Sequence, residues 1–300
     1  MLNVPLVSIC IPTFNGELFI LEALESVRKQ TYTNLEIIIS DDASTDKTLD
    51  IINQFQCETK LSIAIFQHFP TGIGANWNNC IKKAKGEYIK FVFQDDVLAP
   101  TCVEKMVGEA LKNKNIGMVY SKRDFIFDNT DVKVLNWIDQ YADLHTNWSQ
   151  NVILDGEIVQ GRRLLRDPQL FNFPQNKIGE PTAVLLNKRV FEKIGFFSTT
   201  LKQSLDIEFW YRLMKYYDVV FINESLISFR LHDNQATVVN ENSFLNEMYL
   251  FYKSMYSNLF WQLHFDNQKL LFFKYDRSVS ILKKTINLLF KIKFVKRLFS

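Results

Sequence analysis

Two pairs of adjacent aspartates, Asp41–Asp42 and Asp95–Asp96, each follow an apolar run, LEIIIS in the first case and YIKFVFQ in the second. Carboxylates brought together at strand ends repel one another unless a cation or hydrogen-bond donors lie between them. Mg²⁺ or Mn²⁺, held by one or two carboxylates plus phosphate oxygens, supplies the cation, and ribose hydroxyls and a base N–H supply the donors. The pattern therefore points to a nucleoside diphosphate. Either pair alone also fits a helix cap, the ordinary use of Asp after a strand; two pairs in equivalent positions favour a site. A third carboxylate, Asp206 in SLDIEFWYRL, opens a helical pattern. The helix dipole there keeps a carboxylate ionised, as a general base requires, and capping the helix is the alternative role. His232 in FRLHDNQAT follows an apolar run and is a candidate metal or diphosphate contact as well as an ordinary structural histidine. Arg230 beside it could meet phosphate.

The elements that must position these groups alternate. Val7–Ile11 reads as a buried strand, Leu18–Lys29 as an amphipathic helix, Leu35–Ile39 as a strand, and the stretch from an N-cap at Ser44 through Phe55 as a helix. Strands at Leu61–Phe66 and Glu87–Phe93 flank a helix at Asn76–Ala84. Continuous apolar strands between helices predict an α/β fold with a mostly parallel sheet covered on both faces. Residues 121–180 are polar, aromatic and poorly periodic, and are expected to form loops and short helices. Beyond them come a strand at Ala183–Leu186, helices at Lys188–Ile194 and Asp206–Lys215, strands near Val219–Ile222 and Ile227–Arg230, and a helical pattern from Asn242. TGIGANW is not a dinucleotide fingerprint, because Trp77 occupies the third glycine position.

The chain has 300 residues, 47% of them hydrophobic, enough for a sizeable core. No apolar run is long enough for a membrane span, and MLNVPLVSICIP lacks the basic stretch of a signal peptide, so a cytoplasmic protein is expected. Cys10, Cys57, Cys80 and Cys102 show no paired spacing and read as reduced core residues, not as zinc ligands. Charge is uneven. Residues 274–300 hold eight Lys and Arg against one Asp, a balance of +7, while the whole chain is +2, so residues 1–273 carry −5.

Four segments, VSICIPTFNGELFILEALESVRKQTYTNLEIIISDDASTDKT, GIGANWNNCIKKAKGEYIKFVFQDDVLAP, GEPTAVLLNKRVFEKIGFF and SLDIEFWYRL, resemble the family 2 glycosyltransferases in the family's order, over about residues 5–235. The resemblance implies the GT-A fold with a C-terminal helical extension. It divides the chain into residues 1–235, with a nucleotide-binding half to 120 and an acceptor half beyond, and residues 236–300. It implies an inverting transfer from a nucleotide-diphosphate sugar, UDP foremost, to a saccharide or lipid-linked saccharide of bacterial surface polysaccharide, with Mn²⁺ or Mg²⁺ as cofactor. It makes Pro12, Thr13, Asn15 and Asn76 nucleotide contacts, Asp41 the partner of the base, Asp95 the metal ligand with Asp96 and His232 in support, and Asp206 the base. Trp210 becomes an acceptor platform, and Glu208 is the alternate candidate for the base and an acceptor contact. Two departures stand out: Phe93 replaces the first Asp of the family's DxD or DxDD pattern, leaving Gln94 as a neutral substitute for the ribose contact, and Leu205 replaces the Glu that usually precedes the base. Those departures keep open a non-catalytic nucleotide- or saccharide-binding module. A sugar nucleotidyltransferase would need a Gly-rich basic phosphate loop, and PTFNGELF is not one.

The segment KKTINLLFKIKFVKRLFS places Ile286, Leu289, Phe290, Phe294 and Leu298 toward one side at helical spacing and lysines toward the other. It suits the anionic inner face of a plasma membrane, each basic residue adding about 1 kcal/mol, and equally suits docking on the acidic body of the chain. Nucleic acid is not expected, since no binding motif accompanies the charge. Deleting residues 274–300 is expected to move the protein from the membrane pellet to the soluble fraction while nucleotide binding persists; unchanged fractionation overturns the membrane reading.

Overall fold

The computed structural model describes residues 4–67, 69–149, 155–233, 235 and 244–275. The basic segment 276–300 lies outside the described residues, and so does the fate of its amphipathic pattern. Among the described residues nine strands form one sheet, in the order β3-β2-β1-β4-β8-β6-β9-β5 with β7 against β9. Their bounds are β1 Val7–Thr13, β2 Leu35–Asp41, β3 Ser62–Gln67, β4 Tyr88–Phe91, β5 Val97–Leu98, β6 Ile116–Ile126, β7 Ile158–Gln160, β8 Val184–Asn187 and β9 Asp218–Arg230. The helices are α1 Ile20–Arg28, α2 Thr48–Glu58, α3 Ile73–Lys83, α4 Cys102–Ala110, α5 Val132–Tyr141, α6 Gly161–Leu165, α7 Arg189–Ile194, α8 Leu205–Met214, α9 Phe244–Leu259 and α10 Phe265–Tyr275.

Strand pleating sorts the core into two layers. Val7, Ile9, Ile11, Ile37 and Ile39 pack with α1, α2 and α4 on one face. Cys10, Ile38, Ile89 and Phe91 pack with α3, α6, α8 and α9 on the other. The α/β expectation is met, with helices on both faces of a mostly parallel sheet. The β1–β2, β2–β3, β1–β4 and β6–β9 pairs are parallel, and β8 runs antiparallel between β4 and β6. Consequently β1, β2, β4 and β9 end at one edge of the sheet, and the turn leading into β8 enters at that edge.

Several expectations change. Ser44 does not cap the second helix: α2 starts at Thr48, and the Ser44 hydroxyl donates to Asp41 Oδ1 at 2.6 Å. Asp46 serves the helix start instead, its Oδ1 accepting from the Thr48 N–H at 3.0 Å. The two expected strands at 219–222 and 227–230 are one strand, β9, which follows β6 through a register shift near Ser121–Arg123. The poorly periodic stretch from 121 begins with the end of β6 and holds the ten-residue α5, so it is more regular than expected. The strand expected to reach Phe93 stops at Phe91. Cys57 is exposed, unlike the other three cysteines, and all four are free.

Helix α3 crosses the loop before α8 closely. Asn78 Nδ2 donates to Phe197 O at 2.9 Å, and the Phe197 N–H donates back to Asn78 Oδ1 at 3.0 Å. At this crossing a Cβ on Gly74 would lie 2.1 Å from the Ser198 carbonyl oxygen. Gly74→Ala is therefore expected to lower stability by roughly 1–3 kcal/mol in urea unfolding. Gly108→Ala in α4, where a Cβ meets open space, should raise stability by up to about 1 kcal/mol. Equal effects of the two substitutions would contradict the close crossing.

Candidate functional site

The converging strand ends enclose a cleft of about 610 Å³. One wall is made by two interlocked loops. The Asn15 N–H donates to Ser44 Oγ at 2.9 Å, the Thr45 N–H donates to Asn15 Oδ1 at 2.8 Å, and the Asp42 N–H donates to Thr13 O at 2.9 Å. Asn15 and Ala43 accept left-handed φ angles of 47° and 63° in forming this lock. Pro12, Thr13, Asn15 and Asn76 front the cleft, as the sequence places them.

Asp41 does not front it. The residue is fully enclosed, and its carboxylate accepts from Thr13 Oγ1 at 2.9 Å, from the Ser44 N–H at 2.9 Å and from Ser44 Oγ. Asp41 is the last residue of β2 and ties two loops together, while the next residue, Asp42, faces the cleft. The second pair divides in the same way. Asp95 lines the cleft, and its Oδ2 lies 3.0 Å from His232 Nε2. Asp96 is fully buried and accepts from the Arg230 N–H at 3.1 Å. Burial and the neighbouring Asp95 charge push its carboxyl well above the usual range. Asp96 is not among the residues lining the cleft, so it does not take the supporting metal position that the resemblance gave it. The cause is the chain path: directly after Asp96, β5 runs against β9, pairing Val97 with Ser228, and this draws Asp95 to His232 and Asp96 inward to Arg230. Arg230 is committed to Glu22, to Asp95 O at 2.9 Å and to the Phe19 ring, and it is not among the residues lining the cleft.

Gln94 reaches the cleft with both ends of its amide on the Phe14 backbone, Oε1 accepting from the N–H at 2.9 Å and Nε2 donating to the carbonyl at 3.0 Å. It fixes the loop after β1. Phe93 stacks on Trp77 with ring centroids 5.0 Å apart, and both line the cleft, so an apolar wall stands where the family pattern has a carboxylate.

The opposite wall is the start of α8. Asp206 lines the cleft although it is 7% exposed, and burial, reinforced by the nearby Glu180 charge, pushes its carboxyl up to about 7. Asn176 Nδ2 donates to Asp206 Oδ2 at 3.1 Å and to Gly179 O at 3.2 Å. Trp210, one turn deeper, is fully buried and donates from Nε1 to Gly179 O at 3.1 Å, so it supports the cleft floor and offers no face to a sugar. Glu208 is also withdrawn: it holds Arg212 at 2.7 Å and accepts from Ser254 Oγ at 2.6 Å, which joins α8 to α9. Among the cleft residues that carry no role in the sequence reading are Glu180, Lys202, Gln203 and Gln235.

One carboxylate and one imidazole meet at Asp95–His232, and no group of three or more metal-ligating side chains occurs among the described residues. Two protein donors of oxygen and nitrogen type fit Mn²⁺ or Mg²⁺ when substrate phosphates and water complete the shell.

The family model described as Glycosyl transferase family 2 matches residues 8–195. An uncharacterized glycosyltransferase of Rickettsia typhi is 32% identical over 247 residues, covering 81% of this chain and 68% of its own. Hyaluronan synthase of Pasteurella multocida is 38% identical over 119 residues, which is 40% of this chain and 12% of that one. Among solved structures, S. aureus TarS 1–349 in complex with UDP-GlcNAc has a TM-score of 0.63 at 18% identity, covering 91% of this chain and 74% of that one. A mannosyltransferase from Pyrobaculum calidifontis in complex with GDP-Man and Mn²⁺ has a TM-score of 0.59 at 16% identity, covering 96% and 81%. These two likenesses establish a shared fold, that of the GT-A glycosyltransferases.

Asp206 gives a test that needs no substrate. Its folded carboxyl holds a proton up to about pH 7, whereas an unfolded Asp releases it near 3.8. The native state thus binds more protons between those values, and this group's contribution to stability falls as pH rises through the window, by at most about 1.4 kcal/mol per pH unit. Urea unfolding of Asp206→Asn between pH 4 and 7 should lose that part of the slope. An unchanged slope would mean that Asp206 titrates normally.

Proposed function

Because the chain belongs to glycosyl transferase family 2, we propose that it transfers a sugar, with inversion, from a nucleotide-diphosphate donor to a saccharide or lipid-linked saccharide, and that Asp206 is the base. The observation that carries this reading is a buried carboxyl of raised proton affinity facing, across one cleft, an Asp–His pair suited to a diphosphate. A base working near neutral pH benefits from such an affinity. Asp206 takes the proton of the attacking hydroxyl, and Asn176 orients its carboxylate. Asp95 and His232 would hold a divalent ion, which would supply positive charge beside the departing diphosphate. The loops of Thr13–Asn15 and Asp42 receive the nucleoside, and the stacked Phe93 and Trp77 exclude water beside it.

UDP is the favoured donor base. TarS in complex with UDP-GlcNAc supports it, although the mannosyltransferase of similar fold is in complex with GDP-Man. Likeness to hyaluronan synthase supports a role in polysaccharide formation. No described helix is long and apolar enough to cross a membrane. Trp261 and Phe265, 83% and 70% exposed, lie close in sequence to the basic segment and support peripheral contact with an anionic leaflet from the cytoplasmic side. The second reading, a binding module without turnover, draws on Phe93 and Leu205.

Calorimetry with UDP, dTDP, GDP and CMP, with and without Mn²⁺, separates the two when paired with turnover. UDP is expected to bind in a Mn²⁺-dependent manner, and Asp95→Asn should weaken it by at least about tenfold. Asp206→Asn is expected to bind the same nucleotide within about twofold while transfer falls at least about a hundredfold. Nucleotide binding without turnover in the wild type would select the module, and full activity of Asp206→Asn would remove the base assignment.

A further inference from the structure

Glu180 lines the cleft beside an arginine, and neither the motifs nor the reaction scheme assign it a role. It precedes a short 3₁₀ turn, Pro181–Ala183, that leads into β8. Arg123 Nε lies 3.1 Å from Glu180 Oε2, and Arg123 is itself anchored by donating from Nη2 to Tyr141 O at 2.7 Å. Gly179 has a φ of 121°, and a Cβ there would come within 3.3 Å of Arg123 Nη1, so the turn is shaped to admit the guanidinium. Asn176 Oδ1 accepts from the Ile178 and Gly179 N–H groups at 3.1 and 2.9 Å, while its Nδ2 reaches Asp206. One amide thus fixes both the Glu180 turn and the candidate base. Below the turn, buried Lys90 donates to Thr182 O, and the Phe93 N–H donates to Thr182 Oγ1 at 3.3 Å. The Glu180 side chain is still 18% exposed and fronts the cleft beside Asp206.

A carboxylate accepts hydrogen bonds and donates none. Two carboxylates presented side by side to one substrate therefore call for two donor groups on it, where a single alcohol has one. We propose that Glu180 is a specificity-determining residue that accepts a hydrogen bond from a second hydroxyl of the acceptor, so that the site selects a sugar ring carrying a hydroxyl beside the attacking one. This rests on the transferase reading and names its acceptor class. Arg123 holds Glu180 in place. A site built to bond a hydroxyl rejects an analogue without it, because the carboxylate then loses the donor it is placed to meet.

The test uses the full chain, the nucleotide sugar it turns over, and a panel of methyl glycosides as acceptors, with nucleotide release as the readout. For the glycoside that wild type uses best, Glu180→Gln, nearly isosteric, should raise the glycoside KM about tenfold with the donor KM moving less than twofold. The matching monodeoxy glycosides provide an arm that needs no substitution: one should be a poor acceptor for wild type, and Glu180→Gln should discriminate against it at least fivefold less. A parallel rise in both KM values, or equal discrimination by the two proteins, overturns the proposal. No turnover of any nucleotide sugar by wild type would instead defeat the transferase reading beneath it.

Discussion

Thr182 is the point through which the two walls of the cleft fix each other. Its carbonyl accepts from Lys90 Nζ, its hydroxyl accepts from the Phe93 N–H, and its side chain interacts with the buried Asp96 carboxyl. Lys90 belongs to β4, Phe93 and Asp96 to the loop that presents Asp95, and Thr182 to the turn that presents Glu180. Neither Lys90 nor Asp96 reaches solvent. Burial lowers the proton affinity of Lys90 and raises that of Asp96, so each is pushed toward its neutral form. Stranding a buried polar group costs on the order of 1–3 kcal/mol. The loop and the turn cannot separate without that cost, and the distance between Asp95 on the loop and Glu180 on the turn is set below the cleft.

The antiparallel β8 makes this arrangement available. In a wholly parallel sheet the segment entering β8 would arrive at the far edge, away from the ends of β1, β2 and β4. Because β8 runs against β4, with Lys90 opposite Leu185, its entry turn lies beside the exit of β4. The parallel β9, ending at Arg230, then delivers His232 to the same edge. Five segments distant in sequence become neighbours through strand direction alone, in keeping with the rule that ligands bind outside the carboxyl ends of such sheets.

Strand and helix periods in the sequence were enough to locate the fold class and the loops that carry the cleft, because apolar runs and helical stripes are local properties. Which member of each Asp pair faces the cleft is not local. Asp41 turns inward because β2 continues one residue past its apolar run and Thr13 and Ser44 await it; Asp96 turns inward because β9, more than 120 residues away in sequence, presents an unpaired N–H. Trp210 packs with Phe209 and Leu213 in the buried cluster and does not form the acceptor platform that the resemblance implied. Glu180 was hidden for the opposite reason: its partner, Arg123, lies in a segment of weak periodicity, and the ion pair that gives the residue its place has no sequence signature.

The C-terminal helices belong to the same argument as the cleft. Glu247, buried in the first turn of α9, accepts from the Lys202 and Gln203 N–H groups at 2.9 Å each and from that of Ser204 at 3.4 Å. Those amides immediately precede α8, where donors lack intrahelical partners and favour an anion. A carboxylate from another helix thus satisfies the approach to the helix that carries Asp206. Phe251, Tyr252, Met255 and Leu259 of α9 join the apolar cluster that contains Phe209, Trp210 and Leu213. The orientation of α8 therefore depends on a segment beyond the stretch matched by the family model, so the described part of the C-terminal region, residues 244–275, helps to set the wall of the cleft that carries Asp206.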